Sequence, residues 1–362
     1  MSKSVLLSKG GQGCVFTPQI PCNKSAKKTS TKSLSKISFN PESAEREYHI
    51  NELVRKIDDY DQWCILWTNL CKTPKYEALK DISEIEKCIY LENVKRKKRS
   101  KSKLSTKSNF MMLSGPSGGK SCVEYFETLF TKDVLTTKYK FTKVFLNLMQ
   151  ACEPLFLGIQ QLSANKISHH DINNRNILYM NGKIKLIDFG LSLKYSEKKK
   201  LDKRLINVYH NDKIYESYPW DYTLLYCALN DKYKPKLKSE LQDMSEDISR
   251  EGSEELEKVY HLLGIGDYQE QVESLMNDIL KGTFTTDPVS CLGKLDVYSL
   301  GIMIPTVISR QMVTHKIPLK DILKFTDSRE VKSYFDLFRD MTYLKCTSRI
   351  SANLAYDRYT SL

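Results

Sequence analysis

Three side chains in one short stretch have the types and the spacing that phosphoryl transfer from a nucleotide needs. Residues 169 to 190 read HHDINNRNILYMNGKIKLIDFG, with Asp171 five positions before Asn176, and Asp188 opening the triplet Asp188-Phe189-Gly190. A carboxylate beside an acceptor hydroxyl orients it and takes its proton, whereas a second carboxylate and an amide oxygen suit Mg²⁺, a hard cation that prefers oxygen ligands. Asp171 is assigned the first role, and Asn176 and Asp188 the second. Something must hold the three together. Ile177 to Met180 and Lys183 to Ile187 read as two strands, and the Asn181-Gly182 between them is the dipeptide that best tolerates positive φ at both turn positions. Such a hairpin would bring both carboxylates and the carboxamide towards one point. Upstream, Val144, Phe145, Leu148, Met149, Leu155, Phe156 and Ile159 fall at helical spacing within Phe141 to Gln161, which predicts a core helix leading into the loop.

The pattern resembles the catalytic loop and metal-binding triplet of eukaryotic-type protein kinases, H-R-D-x-x-x-x-N followed by D-F-G. That resemblance implies an α+β, two-lobed protein-kinase-like fold, with a small, mainly β N-lobe carrying one main helix and a larger, mainly α C-lobe. On this reading residues 1–114 form the N-lobe, 115–122 the hinge and 123–362 the C-lobe, with ATP between the lobes and Mg²⁺ on its phosphates. Ser8-Lys9-Gly10-Gly11-Gln12-Gly13-Cys14-Val15 aligns with the family's G-x-G-x-x-G-x-V, Ser8 replacing the first glycine. All eight are candidate nucleotide contacts, since glycines let backbone N–H groups approach phosphate oxygens. Taken alone, an ordinary hairpin turn explains the cluster as well.

A nucleotide-binding lysine is implied on the third strand. Lys36 is the choice, with Lys27, Lys28 and Lys32 close by in sequence. The helix after it is better marked: Asn40 can cap, Pro41 suits the first helical position, and Glu42 lies in the first turn. Ala44, Glu47, Ile50 and Val54 share one face of it, with Glu45 on the other. A carboxylate on an apolar stripe needs a partner, so Glu47 is paired with Lys36; the plainer alternative is a Glu47 exposed at the boundary.

Further along, Gly115-Pro116-Ser117-Gly118-Gly119-Lys120-Ser121 looks like a phosphate loop, G-x-x-x-x-G-K-[ST], but is one residue short. Residues 109 to 114 are instead expected to be the last strand of the small lobe. Tyr218-Pro219-Trp220-Asp221 occupies the place of A-P-E, and Asp296 in Leu295-Asp296-Val297-Tyr298-Ser299-Leu300-Gly301 matches D-x-W-S-x-G, whose carboxylate ties to the catalytic-loop backbone in the family. Arg349 is implied to pair with Asp221. A connection this long between 221 and 296 points to a helical insertion, about 222–293, with acidic 239 to 258 inside it.

The N-terminal run Lys9 to Phe16, then Ile20-Pro21-Cys22 and Ser35-Lys36-Ile37, is similar to serine/threonine kinases of large nucleocytoplasmic DNA viruses. That resemblance implies a viral serine/threonine kinase acting on protein substrates in the host cytoplasm, with virion and nucleus as other settings. His170 replaces the usual arginine, so a phosphorylated activation segment lacks its cationic partner. Asn173 and Arg175 leave the choice between serine/threonine and tyrosine open.

Composition bounds the rest. The chain has 362 residues and a net charge of +12, much of it in the basic run 95–103. Such a run is ordinarily a solvated loop; nuclear targeting, nucleic-acid contact and an acidic substrate are its other readings. Ten cysteines without a C-x-x-C pair suggest a reduced intracellular setting rather than a disulfide framework. No apolar run approaches the ~18 residues of a membrane span. A monomeric, active kinase is expected; a pseudokinase scaffold and a small-molecule phosphotransferase are the alternatives, the latter disfavoured by Asp296 and the Phe-Gly after Asp188.

Overall fold

Three local signals build the first part of the chain: a glycine-rich turn between two short strands, a strand of alternating Ser and apolar residues, and an N-capped amphipathic helix. In the computed structural model, which describes residues 4–9, 13–21, 33–38, 40–72, 87–88, 111–197, 217–219, 221, 253–284 and 288–362, they become β1 (Val5–Lys9), β2 (Gly13–Thr17), β3 (Ser33–Ser38) and α1 (Pro41–Val54). Asn40 caps α1 by accepting from the Ser43 N–H, Pro41 starts it, and Ala44, Glu47, Ile50 and Val54 are all buried. A short α2 (Tyr60–Trp63) and β4 (Asn69–Lys72) follow. With β5 (Met111–Pro116) they complete an antiparallel sheet in the order β1-β2-β3-β5-β4. Phe16, Ile37, Met112 and Leu113 are buried on its strands, and Ile50 and Val54 on α1.

The chain divides into two compact units. One comprises Met1–Asp61, Ile65–Gly118 and Ile187–Leu191; the other Gln62–Cys64, Gly119–Leu186 and Ser192–Leu362. The first is rich in strands and the second in helices, the α+β, two-lobed kinase-like fold that the motifs imply. A cut by chain position misses two exchanges, because a compact unit is defined by packing and not by continuity: the Asp188 triplet joins the strand-rich unit and Gln62–Cys64 the helical one.

In the helical unit, β6 (Lys120–Ser121), α3 (Cys122–Leu129) and α4 (Lys132–Thr136) lead into α5 (Lys138–Ala164), the expected core helix. Phe141, Phe145, Leu148 and Met149 are buried on it, while Val144 is only half-buried. After β7 (Ile167–Ser168), β8 (Ile177–Met180) and β9 (Lys183–Leu186) form the foreseen hairpin, with Met180 opposite Lys183 and positive φ at Asn181 (51°) and Gly182 (80°). Phe189–Leu191 makes one 3₁₀ turn, and β10 (Leu193–Lys194) pairs with β7.

The described part of the insertion is α6 (Ser253–Leu263) and α7 (Tyr268–Lys281). It is core rather than appendage, since Leu256, Val259, Tyr260, Leu262 and Leu263 are buried and the Tyr260 hydroxyl donates to the Thr342 carbonyl. Residues 239–252 of its acidic stretch, and the basic run 95–103, lie outside the described residues. Then come α8 (Pro288–His315), α9 (Leu319–Thr326), α10 (Arg329–Met341) and α11 (Ala352–Thr360). The insertion boundary set at 293 falls inside α8.

One helix bears on the membrane expectation, and the cysteine expectation is corrected. Ser290–His315 is apolar and long enough to cross a membrane, although 89% of its most apolar window is buried by the chain itself. Scattered Asp296, Ser299, Thr306 and Ser309 hid that average from a search for unbroken runs. Cysteine spacing also misled, because it says nothing of partners brought together by the fold: Cys14 is joined to Cys88 and Cys291 to Cys346.

Candidate active site

The strand-rich unit holds a buried cluster of one cation and two acids. β3 presents Lys36 opposite Val15 and Leu113, and its Nζ donates to Glu47 Oε2 at 2.8 Å, Glu47 Oε1 at 3.1 Å and Asp188 Oδ1 at 3.0 Å. Glu47 reaches it because it lies on the buried face of α1, a turn from Ser43 and Ile50. Burial opposes the Lys36 charge, but the Glu47 and Asp188 carboxylates outweigh it and hold the ammonium protonated above its usual range. For Glu47, burial wins and pushes the carboxyl up to about 7; Lys36 works against that rise and Asp188 adds to it. The exposures differ: side chains of Lys36 and Asp188 are 6% and 39% exposed, and that of Glu47 is 2%. Asp188 is therefore the open end of the cluster. It sits at φ 60°, a strained value for a non-glycine residue, with its Oδ1 also accepting the Gly190 N–H at 3.2 Å.

The helical unit holds a second cluster. Both oxygens of Asp171 are fixed by amides: Asn173 Nδ2 donates to Oδ1 at 3.1 Å, and Asn176 Nδ2 to Oδ2 at 2.7 Å and to the Asp171 carbonyl at 2.8 Å. Behind them Asp296, buried on α8, accepts the His169 and His170 N–H groups at 2.7 and 2.9 Å. That is the tie the resemblance implied. Burial raises the Asp296 carboxyl above its usual range, with His169 and the two backbone donors opposing the rise. His170 has φ 66° and is fully buried, with the Tyr218 hydroxyl donating to its carbonyl. Arg349 and Asp221 do meet, Nη2 lying 3.3 Å from both carboxylate oxygens.

Each unit offers an oxygen donor of the kind a hard cation takes. Asn176 commits its NH₂ to Asp171, which leaves its carbonyl oxygen as the ligand atom, and Asp188 offers a part-exposed carboxylate. At the glycine-rich hairpin the picture is mixed. Ser8 and Lys9 are exposed on β1 opposite Val15 and Cys14, whereas Gly10, Gly11 and Gln12 lie outside the described residues. Gly13 is required for packing, since a Cβ there would lie 2.2 Å from the Ile37 carbonyl oxygen. Cys14 is buried and bonded to Cys88, so its side chain is not available to a phosphate. The decoy phosphate loop dissolves as well. Lys120 and Ser121 pair with Tyr179 and Leu178, and a Cβ on Gly119 would lie 1.8 Å from the Tyr179 carbonyl oxygen.

Sequence reasoning did not assign a role to Asn173 or to Trp67, whose indole N–H donates to Glu47 Oε1 at 2.7 Å. Asn173 carried a signal, as an Asn two residues after Asp in a loop often folds back on it. Trp67 carried none. A family model for the protein kinase domain matches residues 104–215, and no curated protein matches the chain. With the two-lobed α+β fold, that match supports a protein kinase of the eukaryotic type.

Proposed function

We propose that the chain is an ATP-dependent protein kinase that transfers the γ-phosphoryl group to serine or threonine hydroxyls of protein substrates, working as a monomer in a virus-infected cell. The observation that carries the catalytic reading is the Lys36, Glu47 and Asp188 cluster, in which one lysine satisfies two carboxylates and one carboxylate stays accessible. The serine/threonine and viral parts rest on the N-terminal resemblance alone.

In this reading Lys36 binds the α and β phosphates, while Glu47 keeps its ammonium charged and aimed. Asp188 and Asn176 would hold Mg²⁺, which when bound neutralises charge on the phosphates. Asp171 accepts a hydrogen bond from the substrate hydroxyl and takes its proton, its carboxylate kept from rotating by Asn173 and Asn176. Asp296 keeps the loop backbone in place, and the strain at His170 and Asp188 is the cost of that aim.

Radiolabel transfer from ATP to generic acidic and basic protein substrates tests this. Wild type should incorporate label, and Asp171→Asn and Asp188→Asn should each lose it by about 10²–10⁴-fold. Equal incorporation by all three removes the catalytic assignment; none in the wild type, with nucleotide still bound, favours the scaffold reading.

A further inference from the structure

Glu47 has a tether besides Lys36. Trp67 lies two residues before β4, and its indole N–H donates to Glu47 Oε1 at 2.7 Å while Lys36 takes Oε2 at 2.8 Å. The indole is itself clamped to α1. Its backbone N–H donates to Asn51 Oδ1 at 2.8 Å, its carbonyl accepts from Arg55 Nη2 at 2.7 Å, and Asn51 Nδ2 returns to the Glu47 carbonyl at 2.6 Å. The sheet is shaped for it as well. A Cβ on Gly115 would lie 3.2 Å from Trp67 Cα and 3.3 Å from its ring, so the glycine of the false phosphate loop makes room for this tryptophan.

A carboxylate held only by a lysine can rotate about its last bond, because an ammonium on a four-carbon stem is a point charge without a preferred direction. A planar indole donates along one line. Resting on the kinase reading above, we propose that Trp67 is a positioning residue that locks the Glu47 carboxylate, and through it Lys36, in the orientation that meets nucleotide phosphates. It touches no substrate itself; it acts through Glu47. A hydrogen bond to a charged, buried acceptor is among the stronger kinds, so its loss should be felt in rate.

The test is Trp67→Phe, which keeps an aromatic ring and deletes the donor. In the full-length chain kcat/KM for ATP should fall about 10- to 100-fold. In a Glu47→Gln background the same substitution should cost less than about twofold, because the pair acts as one unit. A spectroscopic reading separates this from the kinase assignment: in ¹⁵N-labelled wild type the Trp67 indole proton should resonate downfield of the other two tryptophans and move upfield in Glu47→Gln. An unshifted resonance, an unchanged kcat/KM in Trp67→Phe, or an equal loss in both backgrounds overturns the proposal. If wild type transfers no phosphate, the kinase reading fails while the indole resonance still decides whether Trp67 fixes Glu47. If Trp67→Phe does not fold, wild type and Glu47→Gln alone carry that measurement.

Discussion

Lys36 with Glu47 in the strand-rich unit and Arg349 with Asp221 in the helical unit are both buried ion pairs, and they differ in what else they touch. Arg349 and Asp221 have side chains that are 0% exposed, and the guanidinium also donates to the carbonyls of Tyr343, Lys294 and Leu344 at 2.9, 3.1 and 2.8 Å. Its donors are aimed into the fold, leaving nothing to offer a ligand. Lys36 is shared with Asp188, the part-exposed acid, so one of its contacts can be exchanged for a phosphate oxygen without leaving a charge stranded. A closed network braces a structure; an open one can do chemistry.

Breaking the two pairs should therefore produce opposite signatures. Lys36→Met should lower kcat/KM by roughly 10²–10³-fold, as loss of one donor to developing phosphate charge does, with a shift in thermal midpoint of only a few degrees, because Glu47, already raised to about 7, takes a proton once its partner is gone. Arg349→Met should cost about 3–5 kcal/mol, because Asp221 stays buried and loses its cationic partner. In a unit of this size that lowers the midpoint by roughly 10 °C. Calorimetry and transfer assays on both variants check the contrast, and matching losses in stability and rate would erase it.

pH sharpens the same comparison. Burial raises Glu47 to about 7, so as pH falls through neutrality the carboxyl takes a proton, loses its charge and loosens its hold on Lys36. Transfer should decline on that acid limb, and Glu47→Gln should abolish the limb while leaving a low, flat rate. Profiles of kcat/KM between about pH 5 and 9 measure it. The smallest effect is expected at the turn between β8 and β9: with φ 80° and open space around a Cβ, Gly182→Ala should cost about 1 kcal/mol from backbone strain alone. A larger loss of rate than of stability there would show that the hairpin aims Asp171 more tightly than its hydrogen bonds suggest.

How far the site could be read ahead of the structure depended on the range of the signal. The Asn181-Gly182 hairpin, the Asn40 cap and the buried face carrying Glu47 are written in neighbouring residues, so turn chemistry and helical period reveal them. Lys36 was harder, because Lys27, Lys28 and Lys32 have the same chemistry; its place in β3 opposite Leu113 comes from strand register, which local composition does not state. The reading of Gly13 as a phosphate contact and of Gly119 as part of the hinge missed their packing role, since what a Cβ would strike belongs to another strand. Disulfides and Trp67 were invisible for the same reason: Cys14 and Cys88 are 74 residues apart, and no rule of spacing links Trp67 to Glu47.

The sequence by itself determined which atoms are present for transfer and which short elements carry them, because propensity, capping and alternation act over a few residues. Tertiary structure decided which acid each cation meets, that Asp188 joins the strand-rich unit while Asp171 is held in the helical one, and that one ion pair is sealed while the other stays open. Those outcomes depend on burial and on contacts across tens to hundreds of residues, where desolvation multiplies the strength of each charge and only the folded chain sets the distances.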